Sequence, residues 1–201
     1  KPLFLCGGGI NIAHANEEFL QLAETVNIPV VTTVMGKGAI PTNHPLYVGS
    51  MGMHGCYAAN KAVSECDLLF SIGTRFNDRI TGKISEFAKG AKIVHIDIDT
   101  AAISRNIKVD VPVVGDAKLA IEKMLTMVKQ REAGEWVEQV RKWKEEYPLG
   151  VKQGNYVNPQ TIIEGINHIF DDFIAVTDVG QHQMWTTQFL ELNNHKKLLT
   201  S

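Results

Sequence analysis

Apolar residues along the chain gather into short blocks rich in β-branched side chains, at 3–6, 29–34, 68–72, 93–98 and 111–114. Unbroken blocks of this kind suit strands covered on both faces, as in a parallel sheet, better than the alternation of half-exposed strands. Between the blocks the period becomes helical. Asn16 is expected to cap a helix whose first turn carries Glu17 and Glu18, with Phe19, Leu20, Leu22, Ala23 and Val26 on its buried side. Residues 116–131 read as a second amphipathic helix through Leu119, Ile121, Met124, Leu125 and Val128. Residues 135–147 read as a more charged one, carrying Trp136, Val140 and Trp143 and stopped by Pro148-Leu149-Gly150. Strand alternating with helix predicts βαβ units, an α/β fold with a parallel, Rossmann-like sheet.

Asn158-Pro159 then starts a new unit, with a capping asparagine before a proline at the first helical position. The order that follows is helix (160–170), strand (173–179) and a further helix from about Gln181. The expected organisation is a first α/β domain over 1–131, a helix and linker over 132–157, and the opening of a second α/β unit over 158–201. So short a second unit cannot bury its own core, and is expected to dock on the first, exchange with a neighbour or remain partly mobile. The chain opens on a strand without an initiator methionine, which suggests a piece of a longer polypeptide.

Composition narrows the function. Twenty basic against 22 acidic residues give a net charge of −2, so no broad basic surface exists to hold a nucleic acid. No apolar run approaches the roughly 20 residues that span a bilayer, and membrane association is not expected. Cys6, Cys56 and Cys66 are odd in number and lack CxxC spacing, which favours free thiols and a cytoplasmic location. The seven histidines show no metal-ligand spacing. A nucleophile elbow of GxSxG type and a GxxxxGK[ST] phosphate loop are both missing.

Candidate chemistry lies where strands end. Gly7-Gly8-Gly9 follows the first strand without GxGxxG spacing, and fits either a close backbone approach to a phosphate or an ordinary tight turn. Thr32-Thr33-Val34-Met35-Gly36-Lys37-Gly38 ends the second. Gly49-Ser50-Met51-Gly52-Met53-His54-Gly55 is expected to open a helix with N–H groups free for a ligand, His54 being either a ligand contact or a cap. After the strand at 68–72 comes Gly73-Thr74-Arg75-Phe76-Asn77-Asp78-Arg79, whose two guanidinium groups suit a diphosphate; the alternative is a solvated loop with an internal Arg–Asp pair. Asp97 closes the strand at 93–98, where a carboxylate commonly takes ribose hydroxyls. Gly115-Asp116 follows the fifth strand, with Asp116 also a natural helix cap. Gly180-Gln181-His182-Gln183-Met184-Trp185 repeats the strand, glycine and helix pattern in the second unit, again suited to a diphosphate.

Taken in order, Leu5-Cys6-Gly7-Gly8-Gly9, Thr33-Val34-Met35-Gly36-Lys37-Gly38, Gly52-Met53-His54-Gly55, Gly73 to Arg79, His95-Ile96-Asp97-Ile98-Asp99 and Gly180 to Trp185 resemble the large subunit of acetolactate synthase (acetohydroxyacid synthase). The resemblance implies the central FAD-binding domain of a thiamine-diphosphate and Mg²⁺ enzyme, followed by the start of its C-terminal thiamine-diphosphate-binding domain. Such enzymes remove CO2 from one pyruvate and join the remaining two-carbon unit to a second pyruvate or to 2-oxobutyrate, for branched-chain amino-acid synthesis. FAD there has no net redox role. Carried over by motif, FAD contacts fall on Gly8, Gly9, Thr33, Val34, Met35, Met53, His54, Gly73, Thr74, Arg75, Asp97, Ile98, Gly115 and Asp116. Gln181 and His182 would meet thiamine diphosphate, with Gln183 and Met184 near both cofactors.

The resemblance also implies a homo-oligomer with a possible regulatory subunit. It departs at Asn77, where the family carries a second aspartate. The activating glutamate and the Mg²⁺-anchoring GDG…N segment have no counterpart here, which implies no synthase activity by this stretch alone, no catalytic residue in it and at most weak FAD affinity. Pyruvate oxidase and glyoxylate carboligase share the three-domain plan, but the GMHG and RFNDR strings argue against them. A non-catalytic nucleotide-binding module is the alternative of another class.

Overall fold

The computed structural model describes residues 1–152, 154–193 and 195–200; Gln153 in the expected linker, and Asn194 and Ser201 in the expected second unit, lie outside them. In chain order the elements are β1 (Pro2–Cys6), α1 (Gly8–Ile12), α2 (Asn16–Val26), β2 (Val30–Thr32), β3 (Tyr47–Ser50), α3 (Tyr57–Glu65), β4 (Leu68–Ile72), α4 (Asp78–Thr81), β5 (Lys92–Asp97) and β6 (Val111–Val114). They continue with α5 (Ala117–Leu125), α6 (Glu135–Glu146), α7 (Pro159–Ile169), β7 (Phe173–Thr177), α8 (Gln181–Phe189) and β8 (Lys196–Thr200). Strands β1 to β6 form one parallel sheet in the order β3-β2-β1-β4-β5-β6, and β7 pairs with β8 in a second parallel sheet.

Side-chain alternation along β1 explains why its block is wholly apolar. Phe4 and Cys6 face a core with Phe19, Leu22 and Val26 of α2 and Ile121 of α5, while Leu3 and Leu5 face a second core with Ala58, Ala62 and Val63 of α3. Phe4 meets Phe19 edge-to-face, their ring centroids 5.3 Å apart. Helix α6 lies over the second core, where Val140 is buried and Trp136 Nε1 donates to the Pro2 carbonyl at 2.8 Å.

Local signals hold at several positions and fail at others. Asp116 caps α5, accepting from the Leu119 N–H, and Asn158 caps α7, accepting from the Thr161 N–H. Asn16, by contrast, is the first residue of α2 rather than its cap, because its amide is drawn to Asn11 Oδ1 and the Gly38 carbonyl, both at 2.8 Å. The helix expected over 116–131 stops at Leu125, after which the Thr126 hydroxyl donates back to the Lys123 carbonyl. Strand β3 is short and interrupted by Gly49, so no local pattern marks it; pairing with β2 makes it a strand. Strand β8 is likewise created by its pairing with β7.

The second unit docks on the first. Thr42 and Leu192 exchange hydrogen bonds, Leu190 and Leu192 are buried, and Gln188 Nε2 donates to the His54 carbonyl at 2.9 Å. No helix among the described residues is long and apolar enough to cross a membrane.

The chain winds from β1 outward to β3, then returns to place β4 on the other side of β1, so the direction of winding reverses between two adjacent strands. Their loops meet backbone to backbone there. A Cβ on Gly7 would stand 2.0 Å from the Gly73 carbonyl oxygen, and one on Gly9 would stand 2.6 Å from the Gly73 Cα. Gly73 itself has φ +62. Gly73→Ala is therefore expected to cost more than about 3 kcal/mol. Gly90→Ala, whose Cβ meets nothing within 4 Å, should change stability by less than about 0.5 kcal/mol. Urea denaturation of both variants checks this; equal stabilities would mean that the two loops do not touch as described.

Candidate functional site

In an all-parallel sheet every strand ends at the same edge, so the loops after β1 to β6 share one rim. Backbone hydrogen bonds carry the ladder beyond the strands. Gly7 N–H donates to the Ile72 carbonyl, Gly73 N–H to Ile96, Thr33 N–H to Cys6 and Gly115 N–H to Asp97, at 2.8–3.0 Å. The rim thus brings together Gly8 and Gly9, Thr33 to Met35, Met53 and His54, Gly73 to Arg75, Asp97 and Ile98, and Gly115 and Asp116. Of these, Thr33, Thr74 and Asp116 spend their side chains on local shape. Thr33 Oγ1 accepts from Gly36 N–H, Thr74 Oγ1 donates to the Ile72 carbonyl, and Asp116 caps α5. Met35, Met53 and Ile98 stand exposed at the rim.

The loop after β4 is held by a residue that sequence reasoning passed over. Phe76 is buried with φ +48, its ring edge-on to His95 and Phe87, and Asn106 Nδ2 donates to the Arg75 and Phe76 carbonyls. Burying Phe76 turns Arg75, Asn77, Asp78 and Arg79 outward, where all four are exposed. Neither arginine makes an ion pair among the described residues, and Arg79 reaches only Met53 Sδ, at 3.8 Å. The internal Arg–Asp pair is therefore not formed. One expectation fails at the loop after β3. The N–H groups of Gly52, Met53, Gly55 and Cys56 donate to Asn60 Oδ1, Arg79 O, Gly52 O and Ser50 O, because the loop is tied to α3 and α4 before any ligand arrives.

At the end of β5, Asp97 Oδ1 accepts from Asp99 N–H at 2.9 Å while Oδ2 stands 3.6 Å from His95 Nε2. Burial holds the His95 imidazole below its ordinary pKa, against the opposing pull of the Asp97 carboxylate and the Thr74 backbone. In the second unit Gln181 and His182 are exposed at the start of α8, whereas Gln183 is buried and donates to Thr200 Oγ1 at 2.7 Å. Helix α8 reaches the first rim through the bond from Gln188 to His54. Met184, one residue beyond Gln183, is half-buried.

A cleft of about 270 Å³ between the two units is lined by Lys37, Ser50, His54, Cys56, Lys144 and Gln188 among others. Lys37 is buried and forms no ion pair among the described residues, and burial pulls its ammonium pKa down to about 8 against the opposing pull of Cys56 and Glu191. Burial pushes all three thiols up, Cys66 to about 12, so no activated cysteine nucleophile is present. No group of three or more His, Cys, Asp and Glu side chains among the described residues could hold a metal ion.

Residues 1–124 match the family described as thiamine pyrophosphate enzyme, central domain. Three relatives carry the name acetolactate synthase large subunit, one of them as probable. The chain is 41% identical to that of Cyanidium caldarium, across 100% of this chain and 36% of the relative. It is 42% identical to the probable one of Methanococcus aeolicus, across 100% and 37%, and 45% identical to that of Parasynechococcus marenigrum, across 94% and 32%. The chain spans about a third of the length of these curated relatives.

The Lys37 ammonium generates a pH prediction. Its proton leaves at about pH 8 in the folded chain and near 10.5 in the unfolded one. Between these values the unfolded state holds more protons, so stability rises with pH across that window and the penalty is fully present below it. Lys37→Met should raise stability at pH 7 by about 1–3 kcal/mol and remove that part of the rise. Urea denaturation of parent and variant at pH 7 and 9.5 measures it; a variant less stable than its parent at pH 7 contradicts it.

Proposed function

We infer that this chain, which belongs to the thiamine pyrophosphate enzyme central-domain family, is part of an acetolactate synthase large subunit and binds flavin adenine dinucleotide across the rim of its sheet. The observation that carries the reading is the meeting of the β1 and β4 loops at the switch point, beside two arginines without carboxylate partners. A diphosphate laid there approaches bare backbone, since no side chain fits on Gly7, Gly9 or Gly73, and Arg75 supplies paired donors that stay charged at any working pH. Asp97 closes one end of the site as acceptor for ribose hydroxyls, and exposed Met35, Met53 and Ile98 offer apolar surface to ring systems. FAD in this role binds and shapes the site without net electron transfer.

The second unit fits the family's other cofactor in part. Thiamine diphosphate, when bound, supplies the chemistry that removes CO2 from a 2-oxo acid. Gln181 and His182 are exposed at the start of α8 and free to contact it, whereas the Gln183 side chain is committed to Thr200. Mg²⁺ is assigned no ligand in this chain, which offers no suitable side-chain group among its described residues. The proposed substrates are two pyruvates, or pyruvate and 2-oxobutyrate. The proposed assembly is a homo-oligomer in the cytoplasm, with a regulatory subunit as a further partner. Domain limits at 131 and 158 follow the same reading.

FAD titration followed by flavin fluorescence tests the site. Arg75→Ala removes a charge-assisted contact of about 1.5–3 kcal/mol, so affinity should fall roughly 10- to 100-fold. Unchanged affinity would place the diphosphate elsewhere.

A further inference from the structure

The interior of the main sheet holds polar atoms that no fold requires. Ser71 Oγ is fully buried without a hydrogen-bond partner, and the equally buried His95 ring makes no well-formed hydrogen bond, with only the Thr74 backbone and the Asp97 carboxylate as polar neighbours. Ser71 and His95 are direct neighbours across the β4–β5 pairing. Leaving such groups poorly paired destabilises the fold, and the ring packs against the apolar Phe76. An apolar side chain at position 95 would serve packing better. What an imidazole adds is its nearness to Asp97, two residues along β5 and therefore on the same face of the sheet. Nε2 stands 3.6 Å from Asp97 Oδ2, too long for a hydrogen bond and close enough to become one by a small rotation. The ring cannot swing away, because Phe76 packs edge-on at 4.9 Å. Asp97 is already tethered on its other oxygen by Asp99 N–H.

We propose that His95 is a positioning residue for Asp97: donating from Nε2, it holds the Asp97 carboxylate in the orientation that accepts the vicinal hydroxyls of a nucleotide's ribose. This rests on the nucleotide reading of the rim. The role requires the proton on Nε2, where the facing carboxylate favours it. Binding of a ribose displaces water from the carboxylate, and the imidazole then closes the remaining gap.

Four variants measured by FAD titration and thermal unfolding test it: Asp97→Ala, His95→Leu, His95→Gln and the double variant Asp97→Ala/His95→Leu. A glutamine amide nitrogen occupies nearly the place of Nε2. His95→Leu is expected to weaken FAD binding about tenfold without lowering the unfolding temperature, and His95→Gln to stay within about threefold of the parent. The double variant should bind no more weakly than Asp97→Ala alone, the mark of one residue acting through the other. In the parent chain the ¹⁵N imidazole signals of His95 should move on adding FAD or ADP and stay still with FMN, which lacks the adenosine ribose. Binding by His95→Leu equal to the parent, additive losses in the double variant, or equal shifts with FMN and ADP overturn the proposal while FAD binding stands. A parent chain indifferent to FAD, or an Asp97→Ala variant that binds as well as the parent, overturns the nucleotide reading itself. Should His95→Leu fail to fold, His95→Gln and the parent's imidazole signals decide.

Discussion

Everything at the rim depends on one steric constraint, the contact of bare backbone between the loops that leave β1 and β4. These strands are sheet neighbours but lie far apart in sequence, and the winding direction reverses between them. Two loops diverging from adjacent strands to opposite faces ordinarily leave a crevice. Here the two loops meet backbone to backbone, because any Cβ on Gly7 or Gly9 would overlap Gly73.

Charge is arranged around that contact by burial. Phe76 is driven into the second core at the expense of a left-handed backbone, and its burial forces the neighbouring arginines outward without carboxylate partners. Lys37 shows the converse, a cation kept inside a cleft where desolvation weakens its hold on the proton. His95 is a third case, a buried imidazole whose pKa the same effect lowers. All three positions lose stability to present polar groups at or below one edge of the sheet, a pattern that packing alone does not favour.

The second unit obeys the same logic of burial. Its two strands leave Ile174, Val176 and Leu199 exposed, yet Leu190 and Leu192 find a core against the first unit, and Thr42 pairs with the incoming backbone. Docking also secures the loop after β3, since Gln188 holds the His54 carbonyl. The helix that carries Gln181 and His182 is thereby tied to the rim that carries Met53 and His54.

Period and composition alone determined the strands at 68–72 and 111–114, the caps at Asp116 and Asn158, and the placing of candidate residues at strand ends, because short-range preferences act within a turn or two of the chain. The order of the strands was decided only by tertiary structure, and with it β3 and β8, whose sequences carry no strand signal until a neighbour supplies hydrogen bonds. Three further outcomes were decided there too: the loss of the free N–H groups after β3, the displacement of Asn16 from its capping role, and the unpaired state of Arg75 and Arg79. The first two depend on a partner distant along the chain, such as Arg79 for Met53 or Gly38 for Asn16, and the third on the burial of Phe76. A residue's own neighbours in sequence cannot say which distant group will reach it first. Only the packed chain settles that competition, and at this rim it leaves Arg75 and Arg79 without carboxylate partners.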